Sequence, residues 1–140
     1  LLDSGRTVAH GALAQLETVD VATRPRVGGR IDFIPTPGHS PDHAALVLAA
    51  GDDYACFSGD LLHSPIQFAH PQWNSAFCGD PRQAEVSRRE MVAWGASHHA
   101  QWFTGHFAGP SCGWLEKDKQ GDYRWREAGK QAADKGNSDE

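Results

Sequence analysis

Apolar residues in this chain fall into short blocks separated by Gly, Pro and polar residues, a pattern that predicts short strands. Three such blocks follow one another at residues 30–35, 43–50 and 54–58. The middle block is apolar at every position from 44 to 50, which is typical of a strand covered on both faces. Residues 51–53, Gly-Asp-Asp, supply a turn. The last two blocks therefore predict a buried hairpin.

One long helix is predicted after a loop at 61–79 that is dense in His, Pro and aromatic residues. Asp80 and Pro81 form a helix start, with an acidic N-cap and proline at the first helical position. A helix over 81–100 would pack one face on the sheet, because small and apolar residues recur there at helical spacing. These are Ala84, Ser87, Met91, Trp94 and His98.

Shorter elements are predicted before this hairpin and after this helix. Residues 5–17 predict a short helix, and 101–105 predict a short strand. Residues 114–116 and 123–126 predict a terminal hairpin. The polar residues 129–140 predict a disordered tail, so that residues 1–128 form the domain.

Composition excludes two classes of partner. The chain has 140 residues, of which 39% are apolar and 22% charged, as in one small globular domain. Its net charge is −5 and no segment is rich in Lys or Arg, which argues against nucleic-acid binding. The longest apolar run, 44–50, is far shorter than the roughly 20 residues that span a bilayer, so no membrane span is predicted. The chain starts at Leu1 without a methionine, and both a cytoplasmic and an exported location stay open.

Cysteine usage points away from a disulfide framework. Cys56, Cys78 and Cys112 form no Cys-x-x-Cys pair, and we expect them to be buried or half-buried thiols.

Candidate metal-ligating residues follow three predicted strands. The segment 36–43, Thr-Pro-Gly-His-Ser-Pro-Asp-His, is stiffened by prolines and carries His39 and His43. Asp60 follows the strand at 54–58, and His106 follows the strand at 101–105. A single histidine or Gly-Asp pair at such a place is more often structural. The order and the strand-end placement of all three together favour a ligand site at one edge of the sheet.

These residues resemble the second half of the metallo-beta-lactamase superfamily, the metal-dependent hydrolases with an αββα sandwich. Within it, the chain is similar to the branch that contains methyl parathion hydrolase and the quorum-quenching lactonases. The resemblance covers about residues 24–125 and implies an α+β fold, the C-terminal half of the sandwich, with a mixed sheet and flanking helices. It rests on the segment 36–43, on 58–63 (Ser-Gly-Asp-Leu-Leu-His), on Gln67-Phe68, on 87–89 (Ser-Arg-Arg), on 105–107 (Gly-His-Phe) and on 123–125 (Tyr-Arg-Trp).

The resemblance implies a role for each candidate. His39 would be a ligand of a first metal, Asp60 the catalytic carboxylate that bridges two metals, and His106 a ligand of the second. The implied cofactors are two divalent ions, with zinc expected because neutral imidazoles suit it. The implied reaction is hydrolysis of a small-molecule ester, lactone or organophosphate by a hydroxide bridging the two metals.

Four further residues have implied supporting roles. His43 and His63 would orient a ligand or Asp60 by hydrogen bonding, with plain packing as the alternative. Phe68 and Phe107 would line an apolar substrate pocket, with anchoring of the loop as the alternative. His98 and His99, late in the helix, are expected to be structural or exposed.

One signature of the superfamily, His-x-His-x-Asp-His, does not occur in this sequence. Without it neither metal has the roughly three protein ligands that a catalytic zinc needs. We therefore expect a chain truncated before Leu1, inactive alone, whose partner is the missing N-terminal half of the same domain. A second copy of this chain, in a homodimer, is the other partner that stays open.

Two other functions stay open at this point. One is a degenerate module of the same fold that has lost catalysis and serves an interaction. The other is a thioester hydrolase of the glyoxalase II type, which shares the metal ligands and differs in its substrate pocket.

Overall fold

The computed structural model describes residues 18–129, which form one seven-stranded mixed sheet with an α-helix on one face. The strands are β1 (Arg26–Val27), β2 (Ile31–Pro35), β3 (Ala44–Ala50), β4 (Asp53–Phe57), β5 (Gln101–Phe103), β6 (Cys112–Lys117) and β7 (Tyr123–Glu127), and the helix is α1 (Pro81–Ser97). The helix predicted at 5–17 and the tail predicted from 129, apart from its first residue, lie outside the described residues.

The strands lie side by side in chain order. All neighbours are antiparallel except β4 and β5, which are parallel. A parallel pair needs a long crossover, and residues 58–100 provide it with a loop followed by α1. The expected α+β class with a mixed sheet is confirmed.

The predicted hairpin is confirmed, with β3 paired to β4 from Leu46↔Phe57 to Ala50↔Asp53. The turn is one residue shorter than predicted, because Asp53 already pairs in β4. The β6–β7 hairpin is confirmed as well and is longer than predicted at both ends.

Helix α1 begins where the sequence predicts. The Asp80 carboxylate accepts the backbone N–H groups of Arg82 and Gln83, both at 3.0 Å, which satisfies donors that have no partner inside the helix. The helix ends at Ser97, earlier than predicted, because His99 takes a left-handed conformation with φ +49° that terminates the helix. His98 is largely exposed, although its ring contacts Tyr54 of β4 with centroids 5.0 Å apart.

The two faces of the sheet differ in how well they are covered. Val47, Cys56 and Trp102 point to the covered face and are at most 2% exposed. On the opposite face Ile31 is 37% and Phe57 41% exposed. Within residues 18–129, side chains on the second face are therefore less covered than those on the first. The prediction that β3 is covered on both faces is not met by these residues.

No helix within residues 18–129 is long and apolar enough to cross a membrane. The three cysteines are free thiols, Cys56 buried and Cys78 and Cys112 half-buried, which confirms the predicted placement.

Candidate metal centre

The loop between β2 and β3 that carries His39 is fixed against the start of α1. Gly38 has φ +134°, and a Cβ atom there would lie 2.2 Å from the Ala84 backbone nitrogen, so only glycine allows this approach. Ser87 Oγ donates to the Pro37 carbonyl at 2.7 Å. The Asp80 N–H donates to the Gly38 carbonyl at 2.8 Å. These contacts set the position of His39 before any ligand binds.

Asp60 and His106 reach the same place from two neighbouring strands. Because β4 and β5 are parallel, the residues that follow them lie at one edge of the sheet. His106 Nε2 donates to Asp60 Oδ1 at 2.6 Å, and His39 Nε2 lies 3.4 Å from Asp60 Oδ2. The two oxygens of one carboxylate thus face two different imidazoles. The His106 hydrogen bond is the main reason that the pKa of Asp60 lies below its usual range.

His43 supports Asp60 through the backbone. Its Nε2 accepts the Asp60 backbone N–H at 3.0 Å, so the ring proton sits on Nδ1, which lies 3.1 Å from the Thr36 carbonyl and 2.7 Å from Thr36 Oγ1. Burial lowers the pKa of His43, consistent with a neutral ring. The side chain has no free nitrogen, and its contacts suit the orienting role predicted for it.

His63 lies beside the same cluster. Its ring stacks on His106 with centroids 4.8 Å apart and lies 5.2 Å from the His39 ring. The backbone N–H of His63 donates to Gln67 Oε1 at 2.6 Å, and the Gln67 amide donates to the Trp73 carbonyl at 2.7 Å. Sequence reasoning gave Gln67 no role, although Ser-x-x-Gln at 64–67 is the pattern of a capping box, which the structure forms.

Arg88 is a second residue that the sequence analysis left without a role. It is fully buried in α1, where its guanidinium donates to the carbonyls of Pro71 at 2.8 Å and Leu61 at 3.3 Å and contacts Asn74. Burial lowers its pKa. Arg88 thus ties the loop that carries Asp60 and His63 to the helix. Its spacing from Ala84 and Met91 on the helix places it on the buried face, which is the signal that could have identified it.

The chemistry of this cluster fits a divalent metal ion. The donor atoms of His39, Asp60 and His63 all lie within 4.8 Å of one another. His39 Nδ1 and His63 Nδ1 are buried and have no hydrogen-bond partner among the described residues. One carboxylate with neutral imidazoles is a donor set that zinc and neighbouring transition metals prefer.

The aromatic residues predicted to line a pocket lie in the core. Phe68 is 3% and Phe107 6% exposed, and both pack on Trp125, with Phe68 stacked on it at 5.6 Å. A groove of about 450 Å³ runs between Pro41 and the start of α1, and neither phenylalanine lines it. Their packing role is visible, and a role in lining a substrate pocket stays a prediction.

Comparison with solved structures gives a consistent fold. The dizinc quorum-quenching lactonase AidC, in complex with a product, aligns over 94% of this chain and 44% of its own, with a TM-score of 0.76 and 22% sequence identity. The hydrolase AbOPH of the beta-lactamase superfamily aligns over 77% of this chain and 37% of its own, with a TM-score of 0.68 and 25% identity. A third structure, described as a probable metal-dependent hydrolase from Staphylococcus aureus, aligns over 74% and 38%, with a TM-score of 0.63 and 19% identity.

No protein-family model and no curated protein matches the chain. The chain spans less than half the length of the solved structures it matches. The fold is therefore similar to part of the structures of these hydrolases, one a lactonase and one from the beta-lactamase superfamily, and this confirms the predicted resemblance.

Proposed function

We propose that this chain carries part of the active centre of a metal-dependent hydrolase that acts on an ester, lactone or organophosphate. The observation that supports this most is the Asp60 carboxylate, whose two oxygens face His106 and His39 separately. A carboxylate placed in this way suits a bridge between two divalent ions, because its charge offsets their mutual repulsion.

His39, Asp60 and His106 are the residues that would hold the metal ions, and we infer zinc as the ion. Bound divalent ions would supply polarisation of the substrate oxygen and activation of water. The chain's own contribution is to set the positions of these ligands before binding. Gly38 and Ser87 fix the His39 loop on α1, and His43 fixes the Asp60 backbone.

The substrate class is the least constrained part of this proposal. AidC, with which the chain shares its fold, is a lactonase with a product bound, which favours a lactone. Half-exposed Asp60 and His106 leave the cluster open to a small molecule, since their side chains are 44% and 45% accessible. An ester or organophosphate has the same requirement for a polarised oxygen and an activated water.

We further propose that additional chain covers the outer face of the sheet and completes the metal ligands. Apolar side chains on that face are half exposed, and Phe57 and Phe103 stack on each other at 4.9 Å without a covering layer among residues 18–129. Faces of this kind in stable proteins are usually covered. Each of these solved structures is more than twice as long as the part of it that aligns with this chain.

The test uses the complete protein, including any residues that precede Leu1, loaded with zinc. We expect hydrolysis of at least one of three probes, an N-acyl-homoserine lactone, an activated aryl ester or an aryl organophosphate. Activity should be lost on chelation and should return with zinc. Hydrolysis of a thioester alone would favour the glyoxalase II type. A zinc-loaded, folded protein that hydrolyses none of these substrates would contradict the proposal and favour the non-catalytic module.

A further inference from the structure

We propose that residues 130–135 fold back along β7 and pair with it as a further strand, so that the C-terminal segment of this chain covers the free edge of the sheet. β7 is one of the two edge strands of the described sheet, and the structure describes the chain only to Gly129, just past the end of that strand. The inference depends neither on the metal centre nor on the proposed hydrolase activity.

Alternate backbone groups of β7 point away from β6. Residues 122 and 128, one at each end of β7, form backbone hydrogen bonds across the hairpin, at 2.9 Å in both cases. Because the direction of these groups alternates along a strand, the N–H and C=O groups of Tyr123 and Trp125 point to the opposite side. They have no hydrogen-bond partner among residues 18–129. An edge of this kind is a template for pairing with a further extended segment.

A groove lies beside this edge. Its volume is about 490 Å³, and it lies between β7 and the segment 65–70. The wall opposite β7 includes Ala69 and Ile66, which is 43% exposed. The Trp125 ring faces the same segment, since it stacks on Phe68 at 5.6 Å. A strand added to β7 would meet this apolar wall on one face, which favours a small apolar side chain opposite Trp125.

The chain that continues from β7 is placed to enter this groove. Ala128 and Gly129 form a turn, and Gly129 has φ +84°, a left-handed conformation that glycine adopts readily. A two-residue turn reverses the chain and pairs the residues on either side of it. In that register Ala132, a small apolar residue, lies opposite Trp125.

The charges of residues 130–135 complement those of β7 in the same register. Lys130 lies opposite Glu127, and Lys135 lies opposite Asp122, so a lysine meets a carboxylate at each end of the strand. Opposite charges on neighbouring strands stabilise the pair. The polar composition of this segment predicts disorder for the segment alone. The turn, the two charge pairs and the free edge are features that composition does not show.

A second copy of this chain fits the edge less well. Antiparallel pairing of two β7 strands about a two-fold axis at Arg124, Trp125 or Arg126 would place an arginine opposite an arginine. Like charges directly opposite each other destabilise a strand pair. The charges therefore favour residues 130–135 over a second copy.

Amide hydrogen exchange tests this pairing in the complete protein, including any residues that precede Leu1, and in a variant that ends at Gly129. We expect the amides of Tyr123 and Trp125 to exchange at least about tenfold more slowly in the complete protein than in the shortened variant. The neighbouring amides at 124 and 126, which face β6, are the internal control. They should be protected in both proteins, which verifies that the variant is folded.

Lys135→Glu is a second variant that keeps the segment and places a like charge opposite Asp122. It should speed exchange of the Tyr123 and Trp125 amides by roughly three- to tenfold. Combining Lys135→Glu with Asp122→Lys should restore slow exchange, because the charges are then opposite again. Lys119→Glu, at the tip of the β6–β7 hairpin, is the matched control and should leave this exchange unchanged.

Three results would overturn the proposal. Fast exchange of Tyr123 and Trp125 in the complete protein would show that the edge is uncovered. Slow exchange that persists in the shortened variant would show another occupant, which is a second copy if protection depends on protein concentration and another part of the protein if it does not. Slow exchange without a nuclear Overhauser contact between the amide protons of Trp125 and Ala132 would contradict the paired strand.

Discussion

The two sides of Asp60 are built differently. On the backbone side, His43 has both ring nitrogens hydrogen-bonded, and its pKa is lowered by burial. On the carboxylate side, His39 and His63 each keep a buried nitrogen without a partner in residues 18–129. We call these the supported side and the open side of Asp60.

The difference shows which histidines can bind a ligand. A ring whose two nitrogens already bond to protein groups stabilises the fold and has no lone pair left for a metal. The His39 ring differs, because its Nε2 faces Asp60 Oδ2 at 3.4 Å and is the atom that an ion beside this carboxylate would bind. Proximity in the sequence does not distinguish them, since His39 and His43 lie in the same loop.

The largest effect is expected from Gly38→Ala, which displaces the loop that carries His39 on the open side. The new Cβ would lie 2.2 Å from the Ala84 backbone in a conformation that disfavours side chains, so the loop must leave α1. We expect a loss of at least about 3 kcal/mol in the free energy of unfolding, measured by denaturant titration. Gly51→Ala is the matched control, because its φ is +66° but nothing lies within 4 Å. It should cost only about 1–2 kcal/mol, and equal losses would refute the close contact.

A smaller loss is expected from His43→Leu. This variant leaves the Asp60 N–H and the Thr36 groups without their partner, which should cost about 1–3 kcal/mol of unfolding free energy. Because Asp60 loses its orientation, zinc affinity should fall about 10–100-fold. Calorimetry at neutral pH measures both. An unchanged affinity would show that the backbone of Asp60 needs no support from this ring.

The smallest effect near neutral pH concerns Cys56 in β4. Burial raises the pKa of its thiol to about 12. The unfolded thiol ionises near 8.5, so above that pH the unfolded state releases a proton that the folded state keeps, and stability falls as pH rises. The slope from this group reaches about 1.4 kcal/mol per pH unit.

Cys56→Val removes the ionising group and keeps an apolar side chain of similar size. Unfolding free energies of the two chains between pH 8 and pH 10.5 should diverge as pH rises, with the variant losing less. Parallel curves would contradict the burial of this thiol.

Much of the fold could be predicted from local pattern. The hairpin of β3 and β4 follows from two apolar blocks separated by turn residues. The start of α1 follows from the N-cap at Asp80. Both signals act over a few residues. The end of α1 was less predictable, because the helix is terminated by a left-handed conformation at His99, a position where glycine is the usual residue. The outer face of β3 was predicted to be covered, and that expectation depends on residues outside the sheet.

The candidate site also has one part that the local sequence pattern predicts and one part that it does not. Metal-ligand types at three strand ends predicted that His39, Asp60 and His106 would meet, and the parallel pairing of β4 with β5 explains how Asp60 and His106 come together. The different hydrogen bonding of His43 and His63 could not be predicted from the sequence, because it depends on which ring nitrogens find partners. Helical spacing places Arg88 on the buried face, but its bonds to the carbonyls of Pro71 and Leu61 join distant parts of the chain that no local pattern specifies.

The central claim is that the Asp60 carboxylate holds metal, and bound zinc per chain in Asp60→Asn tests it most directly. Asparagine keeps the size of the side chain and the backbone N–H that donates to His43 but removes the negative charge. Asp42→Asn, an exposed position in the His39 loop whose carboxylate accepts the Ser40 hydroxyl, is the control. After equilibration with excess zinc and desalting, we expect Asp60→Asn to lose most of its metal while strand content is kept, and Asp42→Asn to retain it. If Asp60 is only a turn residue, asparagine should serve nearly as well, and unchanged zinc content in folded Asp60→Asn would contradict this account.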